Sequence, residues 1–71
     1  MQDKDFLDVV GLNVKVLRTK KRLTQAQLAE LVDVHEKYIG KIESGKQNIT
    51  LKTLNRLSNA LSVNPVELLK P

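Results

Sequence analysis

Residues 24–45 read TQAQLAELVDVHEKYIGKIESG, and their apolar spacing predicts two short helices joined by a tight turn. Gln27 follows the opening threonine by three residues, which is the capping-box pattern of a helix start. The helical spacing breaks at residues 33–35 and then resumes until Gly45, a typical residue just beyond a helix end. Helices joined by so short a turn cross steeply, so the crossing favours a small side chain, and Ala29 is placed for it.

The second helix of this pair has one apolar face and one polar face. Ile39 and Ile42 have the spacing of a core face, and Val34 in the turn would fill the gap between the helices. The opposite face carries Glu36, Lys37, Gly40, Lys41 and Ser44. These residues have nothing inside the domain to pack against, so we expect them to face outward. This is the layout of a helix-turn-helix, at about residues 24–44, whose second helix enters the major groove of DNA.

The chain resembles the Cro/phage-repressor-like (XRE) family of helix-turn-helix transcriptional regulators over about residues 10–69. The segments that carry the resemblance are LTQAQLA, YIGKIESGKQN and LKTLNRLSNALSVNPVELL. The segment KYIGKIESGKQNITL also resembles the corresponding sequence of the small controller proteins of restriction–modification systems. The resemblance implies an all-α fold, a compact five-helix lambda-repressor-like domain that occupies residues 1–71 as a single unit.

Two positions depart from the family pattern. Asp33 stands where the family usually has glycine, at a turn residue with left-handed backbone, and Asp is among the few other residues that tolerate this conformation. His35 stands where the family commonly has Ser or Thr at the start of the second helix, so we treat it either as a cap or as a surface residue that touches a phosphate.

Composition excludes several classes of function. The 71 residues permit one domain with a small core, and they include no cysteine and a single histidine. No catalytic or glycine-rich phosphate signature is present, so we predict neither an enzyme nor a metal or cofactor site, and no small-molecule ligand is evident. No apolar run reaches membrane-spanning length and no signal peptide is recognisable, which predicts a cytoplasmic protein without a membrane partner.

Positive charge is concentrated in the middle of the chain. The formal net charge is +4, but the segment from Lys15 to Arg56 contains ten basic residues and only four acidic ones. A solvated surface can carry such charge without any partner, so charge alone identifies no ligand. It agrees with double-stranded DNA, the partner that the helix-turn-helix pattern predicts.

The remaining helices follow from apolar spacing and capping residues. We predict a first helix from Phe6 to about Lys21, capped by Asp5. A fourth helix follows the cap Thr50, and a fifth follows the cap Asn64. The predicted core face of the first helix consists of Phe6, Val10, Val14 and Leu17. The predicted core face of the fourth helix consists of Leu51, Leu54, Leu57 and Leu61. A second stripe on the first helix meets either the domain itself or a partner chain: Val9, Leu12 and Val16.

The family resemblance also implies roles for individual residues. In the family, an Arg and a Glu at the positions of Arg18 and Glu43 form a partly buried ion pair. Lysine can donate to guanine and glutamate can accept from cytosine, which suits a helix in the major groove. The residues expected to read bases are His35, Glu36, Lys37 and Lys41. Those expected to contact the DNA backbone are Gln25, Tyr38, Ser44, Lys46 and Asn48. For Tyr38 we expect the ring to pack inward while the hydroxyl reaches the backbone.

We predict that the protein is a sequence-specific transcriptional regulator, which binds a two-fold related operator as a homodimer. The predicted dimer interface is C-terminal, at Val66, Leu68 and Leu69, with the second stripe of the first helix as the alternative. Two other functions remain open at this point. One is an antitoxin-type regulator that also binds a partner protein, and the other is a helical module that binds only protein or RNA.

Overall fold

The structure is a computed structural model that describes residues 3–71, and these residues form five α-helices and no strand. The helices are α1 (Asp3–Lys20), α2 (Gln25–Val32), α3 (Glu36–Glu43), α4 (Leu51–Leu61) and α5 (Pro65–Leu69). Helices α1 and α2 both pack against α3, while α4 packs against α2 and α5. The predicted all-α, five-helix architecture is confirmed.

Helix α1 begins before the predicted position. It starts by Asp3, so the prediction of a start at Phe6 with Asp5 as the cap is wrong. Asp3 and Asp5 instead lie in the first turn, where negative charge interacts favourably with the positive end of the helix. An ion pair between Lys4 and Asp8, 2.9 Å apart and one turn from each other, supports the same segment.

The starts of α2, α4 and α5 use the side chains that the sequence predicted. The backbone N–H of Gln27 donates to Thr24 Oγ1 (3.0 Å), and the backbone N–H of Thr24 donates to Gln27 Oε1 (2.9 Å), which completes the capping box. Thr50 accepts from the N–H of the third helical residue, and Asn64 accepts from that of the second. Local hydrogen-bonding chemistry is therefore enough to fix these three boundaries.

Helices α1 to α4 all end at a residue with left-handed backbone. These residues are Arg22 (φ 59°), Asp33 (φ 62°), Gly45 (φ 74°) and Ser62 (φ 57°). In each case the N–H of the left-handed residue and that of the next residue donate back to carbonyls of the last helical turn. The left-handed conformation predicted for Asp33 is confirmed.

The core is aliphatic and lies between all five helices. Its members are Val10, Val14, Leu28, Ala29, Val32, Ile39, Ile42, Leu54, Leu57, Leu61 and Leu68. Two residues predicted to belong to core faces do not: Phe6 is 43% exposed and Leu51 is 83% exposed. Each lies at the start of its helix, where the first turn extends past the neighbouring helices.

One polar side chain of α1 bonds to the end of α5. Asn13 Nδ2 donates to the carbonyl oxygens of Leu68 (3.0 Å) and Lys70 (2.7 Å), which have no helical partner at this helix end. Leu68 is completely buried in the core of the same chain. Its predicted place at a dimer interface is therefore wrong, because it presents no surface to a second chain.

No helix of the described part of the chain has the length and apolar character needed to cross a bilayer. Within residues 3–71, no group of His, Asp and Glu side chains is arranged to hold a metal ion.

Candidate nucleic-acid interface

Helix α3 lies on the surface with its apolar side turned into the core. Ile39 and Ile42 are buried beneath α1 and α2, and this burial fixes the rotation of the helix about its axis. The same rotation leaves Glu36, Lys37 and Lys41 exposed. The helix thus presents a row of charged side chains outward, as a helix that enters a DNA groove must.

His35 is the cap of this helix. Its Nδ1 accepts a hydrogen bond of 3.1 Å from the backbone N–H of Lys37, and its backbone is extended. An accepting Nδ1 is unprotonated, so in the neutral ring Nε2 carries the hydrogen and can donate to a phosphate or a base. His35 therefore takes the place of the Ser or Thr that the family pattern has, and its outer nitrogen stays available.

The charged side chains of α3 are not neutralised by each other. The ion pairs formed within residues 3–71 join Lys4 to Asp8, Arg18 to Glu43 and Lys70 to Glu67. None of them uses Glu36, Lys37 or Lys41, so within the described structure Glu36 does not simply pair with a neighbouring lysine. All three side chains are free to meet a ligand.

The loop after α3 continues the exposed polar surface. Ser44 and Lys46 are exposed, and the hydroxyl of Ser44 donates to the carbonyl of Lys41 (3.1 Å). Asn48 is exposed as well, and its carbonyl accepts from the side chain of Gln47 (3.1 Å). Tyr38 is half-buried and packs against the core, as expected for its ring.

Glu43 joins three elements through its carboxylate. Arg18 donates to it twice, from Nε to Oε2 (2.6 Å) and from Nη2 to Oε1 (3.1 Å). Arg18 also donates to the carbonyl of Leu23 (2.8 Å). The hydrogen bond with Glu43 raises the pKa of Arg18, burial acts in the opposite direction, and the charge of Glu43 raises it further. Arg18 thus keeps its charge until the pH rises through that raised pKa, in strongly alkaline solution, where the contribution of its protonation to stability is lost.

Gln25 belongs to the same cluster, which the sequence did not predict. Its Nε2 donates to Glu43 Oε1 (3.0 Å), so the amide is held across the surface of α3 instead of extending freely toward solvent. The two residues are separated by 18 positions in the chain, and no local pattern reports such a contact. The capping box occupies the N–H groups of Thr24 and Gln27, while those of Gln25 and Ala26 lie at the open end of α2.

Comparison with known proteins decides the family. The helix-turn-helix family HTH_3 matches residues 14–68, which is most of the chain. The chain belongs to this family. The HTH_3 protein is 38% identical over 65 residues to control protein C.SmaI of Serratia marcescens, covering 92% of this chain and 77% of that protein. It is 37% identical over 54 residues to the immunity repressor protein of Bacillus phage phi105, covering 76% of this chain and 38% of that protein.

A solved structure extends the likeness to the fold. The restriction–modification controller protein C.AhdI from Aeromonas hydrophila superposes with a TM-score of 0.84 at 37% identity, covering 87% of this chain and 94% of that chain. The HTH_3 protein is therefore a helix-turn-helix transcriptional regulator, a DNA-binding protein and not an enzyme. The resemblance stated from the sequence, and the fold that it implied, are both confirmed.

Proposed function

We propose that the protein binds a specific, two-fold related operator as a homodimer, with α3 of each copy in the major groove. The observation that carries the proposal is the exposed row of Glu36, Lys37 and Lys41, which no ion pair within the described residues neutralises. Charged side chains that face outward from a rigidly packed helix match the donors and acceptors on base edges. The proposed site of action is the cytoplasm, where such an operator would lie.

Lys41 and Glu36 are the proposed principal readers of sequence. Lysine donates to guanine O6 and N7, and glutamate accepts from the exocyclic amine of cytosine. A carboxylate on the DNA side of the helix is repelled by phosphates, so Glu36 also penalises sequences that offer it no donor. Lys37 and the outer nitrogen of His35 complete the proposed reading set at the start of the helix.

Contacts with the sugar–phosphate backbone would fix orientation. The N–H groups of Gln25 and Ala26 lie at the positive end of α2, where a phosphate is attracted. Beyond α3, the exposed Ser44, Lys46 and Asn48 are proposed to hold the strand, with the hydroxyl of Tyr38 as a further donor. Such contacts add affinity and depend on salt, and they carry no sequence information directly.

Two copies are needed because one chain is too small. Half-sites about one helical turn apart, roughly 10–11 base pairs, place adjacent major grooves about 34–36 Å from each other. The longest dimension of the chain is 31 Å, so its single recognition helix reads only one half-site. The proposed dimer surface consists of three exposed apolar residues around one groove, Phe6, Leu51 and Leu69, together with the exposed Val66 of α5.

Within the family, the proposed class is a controller protein of a restriction–modification system. The support is the likeness to C.SmaI and to C.AhdI, which covers most of both chains. Location of the gene beside a restriction endonuclease gene, and binding of the protein to DNA upstream of it, would test this class.

Substitution of Lys41 tests whether α3 reads bases. Lys41→Ala should weaken binding to the duplex that the wild type selects from a random pool by about 1–3 kcal/mol, and binding to unselected duplex much less. Lys46→Ala is the matched control, because loss of a phosphate contact should weaken binding to both duplexes equally. Titration of each variant with the two duplexes at fixed salt measures the difference. An equal loss for Lys41→Ala on both would assign Lys41 to the backbone instead.

A further inference from the structure

Two of the three glycines in the chain have clear structural reasons. A Cβ atom on Gly11 would overlap the carbonyl oxygen of Ile42 at the crossing of α1 and α3. Gly45 has positive φ, and a Cβ there would collide with the side chain of Asp8. At Gly11 the overlap is with backbone atoms of α3, and at Gly45 the left-handed backbone strains any other residue.

Gly40 has neither reason. It lies in the middle of α3, its φ is not positive, and a Cβ built on it meets only the side chain of Gln25 among the described residues, at 3.7 and 4.0 Å. Those distances are ordinary van der Waals contact, so alanine fits. A glycine in the interior of a helix is destabilising relative to alanine because it gains freedom in the unfolded chain. The fold therefore does not account for the absence of a side chain at this position.

The surroundings of Gly40 indicate why residue 40 has no side chain. The glycine is half-buried beside the exposed Lys37, Lys41 and Ser44, on the outward side of the helix. The amide of Gln25 lies next to it and is held there by its hydrogen bond to Glu43. Among the described residues, only the side chain of Gln25 comes within 4.0 Å of a Cβ built on Gly40, which leaves the backbone of α3 open on its outward side at this position.

We propose that Gly40 is a specificity-determining residue whose missing side chain admits one DNA strand, so that its sugar–phosphate backbone packs directly on α3 beside Gln25. Close approach of a ligand to a protein backbone is one of the few reasons for glycine inside a helix. The inference rests on the proposed function and adds to it the depth at which the helix enters the groove. A methyl group at residue 40 would push the strand outward and draw Lys37 and Lys41 away from the base edges.

Gly40→Ala separates this role from a role in folding. The variant should melt higher than the wild type by about 2–8 °C, because alanine favours the helix and its methyl group fits. Its affinity for the duplex that the wild type selects should nevertheless fall by about tenfold or more, a loss of about 1.4 kcal/mol for each factor of ten. Asn59→Ala is the matched control, an exposed position in the interior of α4 where alanine also favours the helix. It should raise the melting temperature and leave the affinity unchanged.

Neutral phosphate analogues locate the strand. Methylphosphonates placed one at a time in the selected duplex should reveal a phosphate whose neutralisation weakens the wild type but has a much smaller effect on Gly40→Ala. Unchanged affinity of Gly40→Ala, a fall in its melting temperature, or equal sensitivity of both proteins at every phosphate would each overturn the inference while the proposed function stands. A wild type that selects no duplex from the pool would overturn the proposed function, and the inference with it.

Discussion

At the scale of single residues, left-handed backbone is distributed over very different side chains. Helices α1 to α4 all end this way, but only Gly45 lacks the Cβ that this conformation brings too close to the following carbonyl. Aspartate tolerates the conformation comparatively well, which suits Asp33, whereas arginine has no such advantage at position 22. Arg22 is therefore held in an unfavourable conformation by the hydrogen bonds that end α1.

Replacement of Arg22 should reveal the cost of that conformation. Arg22→Gly should raise the free energy of unfolding by about 0.5–1 kcal/mol, because relief of the left-handed clash outweighs the freedom that glycine adds to the unfolded chain. Lys21→Gly removes the same charge one residue earlier, where φ is not positive, and should lower stability instead. Urea unfolding of the two variants measures both changes. If Arg22→Gly loses as much stability as Lys21→Gly, the strain at residue 22 is absent.

The pair of Arg18 and Glu43 matters more for position than for stability. Their side chains are 14% and 3% exposed, and the free energy that removing two charges from water costs offsets much of their attraction. Their hydrogen bonds to Leu23 and Gln25 satisfy further polar groups and fix the directions of both side chains. The cluster thereby sets how the start of α2 lies relative to α3, which is the geometry that a DNA strand would meet.

At the scale of helices, the approach of α1 to α3 depends on one missing side chain. Gly11 lies against the backbone of α3, and a Cβ there would overlap the carbonyl of Ile42 and lie 2.9 Å from that of Glu43. Backbone atoms cannot move aside as a flexible side chain can. The two helices can pack this closely only because residue 11 is glycine.

Gly11→Ala should therefore destabilise the domain, in spite of the better helix propensity of alanine. Overpacking at such a contact costs about 1–3 kcal/mol, and a shift of α3 should also weaken the Arg18–Glu43 bonds. Chemical denaturation measures the loss, with Gly40→Ala as the same substitution where space is open. A Gly11→Ala protein as stable as the wild type would mean that the two helices separate without cost.

Local chemistry predicted the helix boundaries better than apolar spacing predicted burial. The caps Thr24 and Asn64 depend on hydrogen bonds within a few residues, so the sequence is sufficient for them. Spacing alone placed Phe6 and Leu51 in the core, yet each lies in a first turn that no neighbouring helix covers. The burial of Leu68 could not be predicted in this way, because it depends on the docking of α5 on α1, between residues 55 positions apart in the chain. The prediction therefore placed Leu68 at an interface.

The candidate site was predictable in the same uneven way. The outward face of α3 follows from the spacing of Ile39 and Ile42, and the structure places Glu36 and Lys41 on that face. The hydrogen bond from Gln25 to Glu43 was not predictable, because it depends on how α2 and α3 cross. The roles of these side chains toward DNA stay predictions.

At the scale of the whole molecule, three exposed apolar side chains surround one groove. Phe6, Leu51 and Leu69 border it, and the half-buried Ile49 and the start of α4 line its floor. A domain of 71 residues gains much from covering such a surface, because its own core is small. The exposed Leu12 and Val16 on α1 form the alternative surface.

A charge placed in the groove should separate the two chains. Leu51→Glu should weaken the dimer and binding to the selected operator together, while the monomer stays folded because residue 51 is 83% exposed. Leu31→Glu is the matched control, since Leu31 is 61% exposed on α2, away from the groove. Light scattering and circular dichroism report assembly and fold. An unchanged dimer in Leu51→Glu would move the interface to α1, and tight binding of one half-site by a wild-type monomer would contradict dimerisation itself.

The two hydrogen bonds from Asn13 to the end of α5 have a consequence for folding during translation. The ribosome makes α1, with Asn13, early, but the carbonyls of Leu68 and Lys70 that accept its hydrogen bonds are made only after the first four helices. Until then the part of the core that Leu68 covers, where α5 packs on α1 and α4, stays open. Helices α1, α2 and α3 are all translated before that point, so the packing of α3 on α1 and α2 can begin early, whereas a nascent chain should complete its core only when α5 has left the exit tunnel.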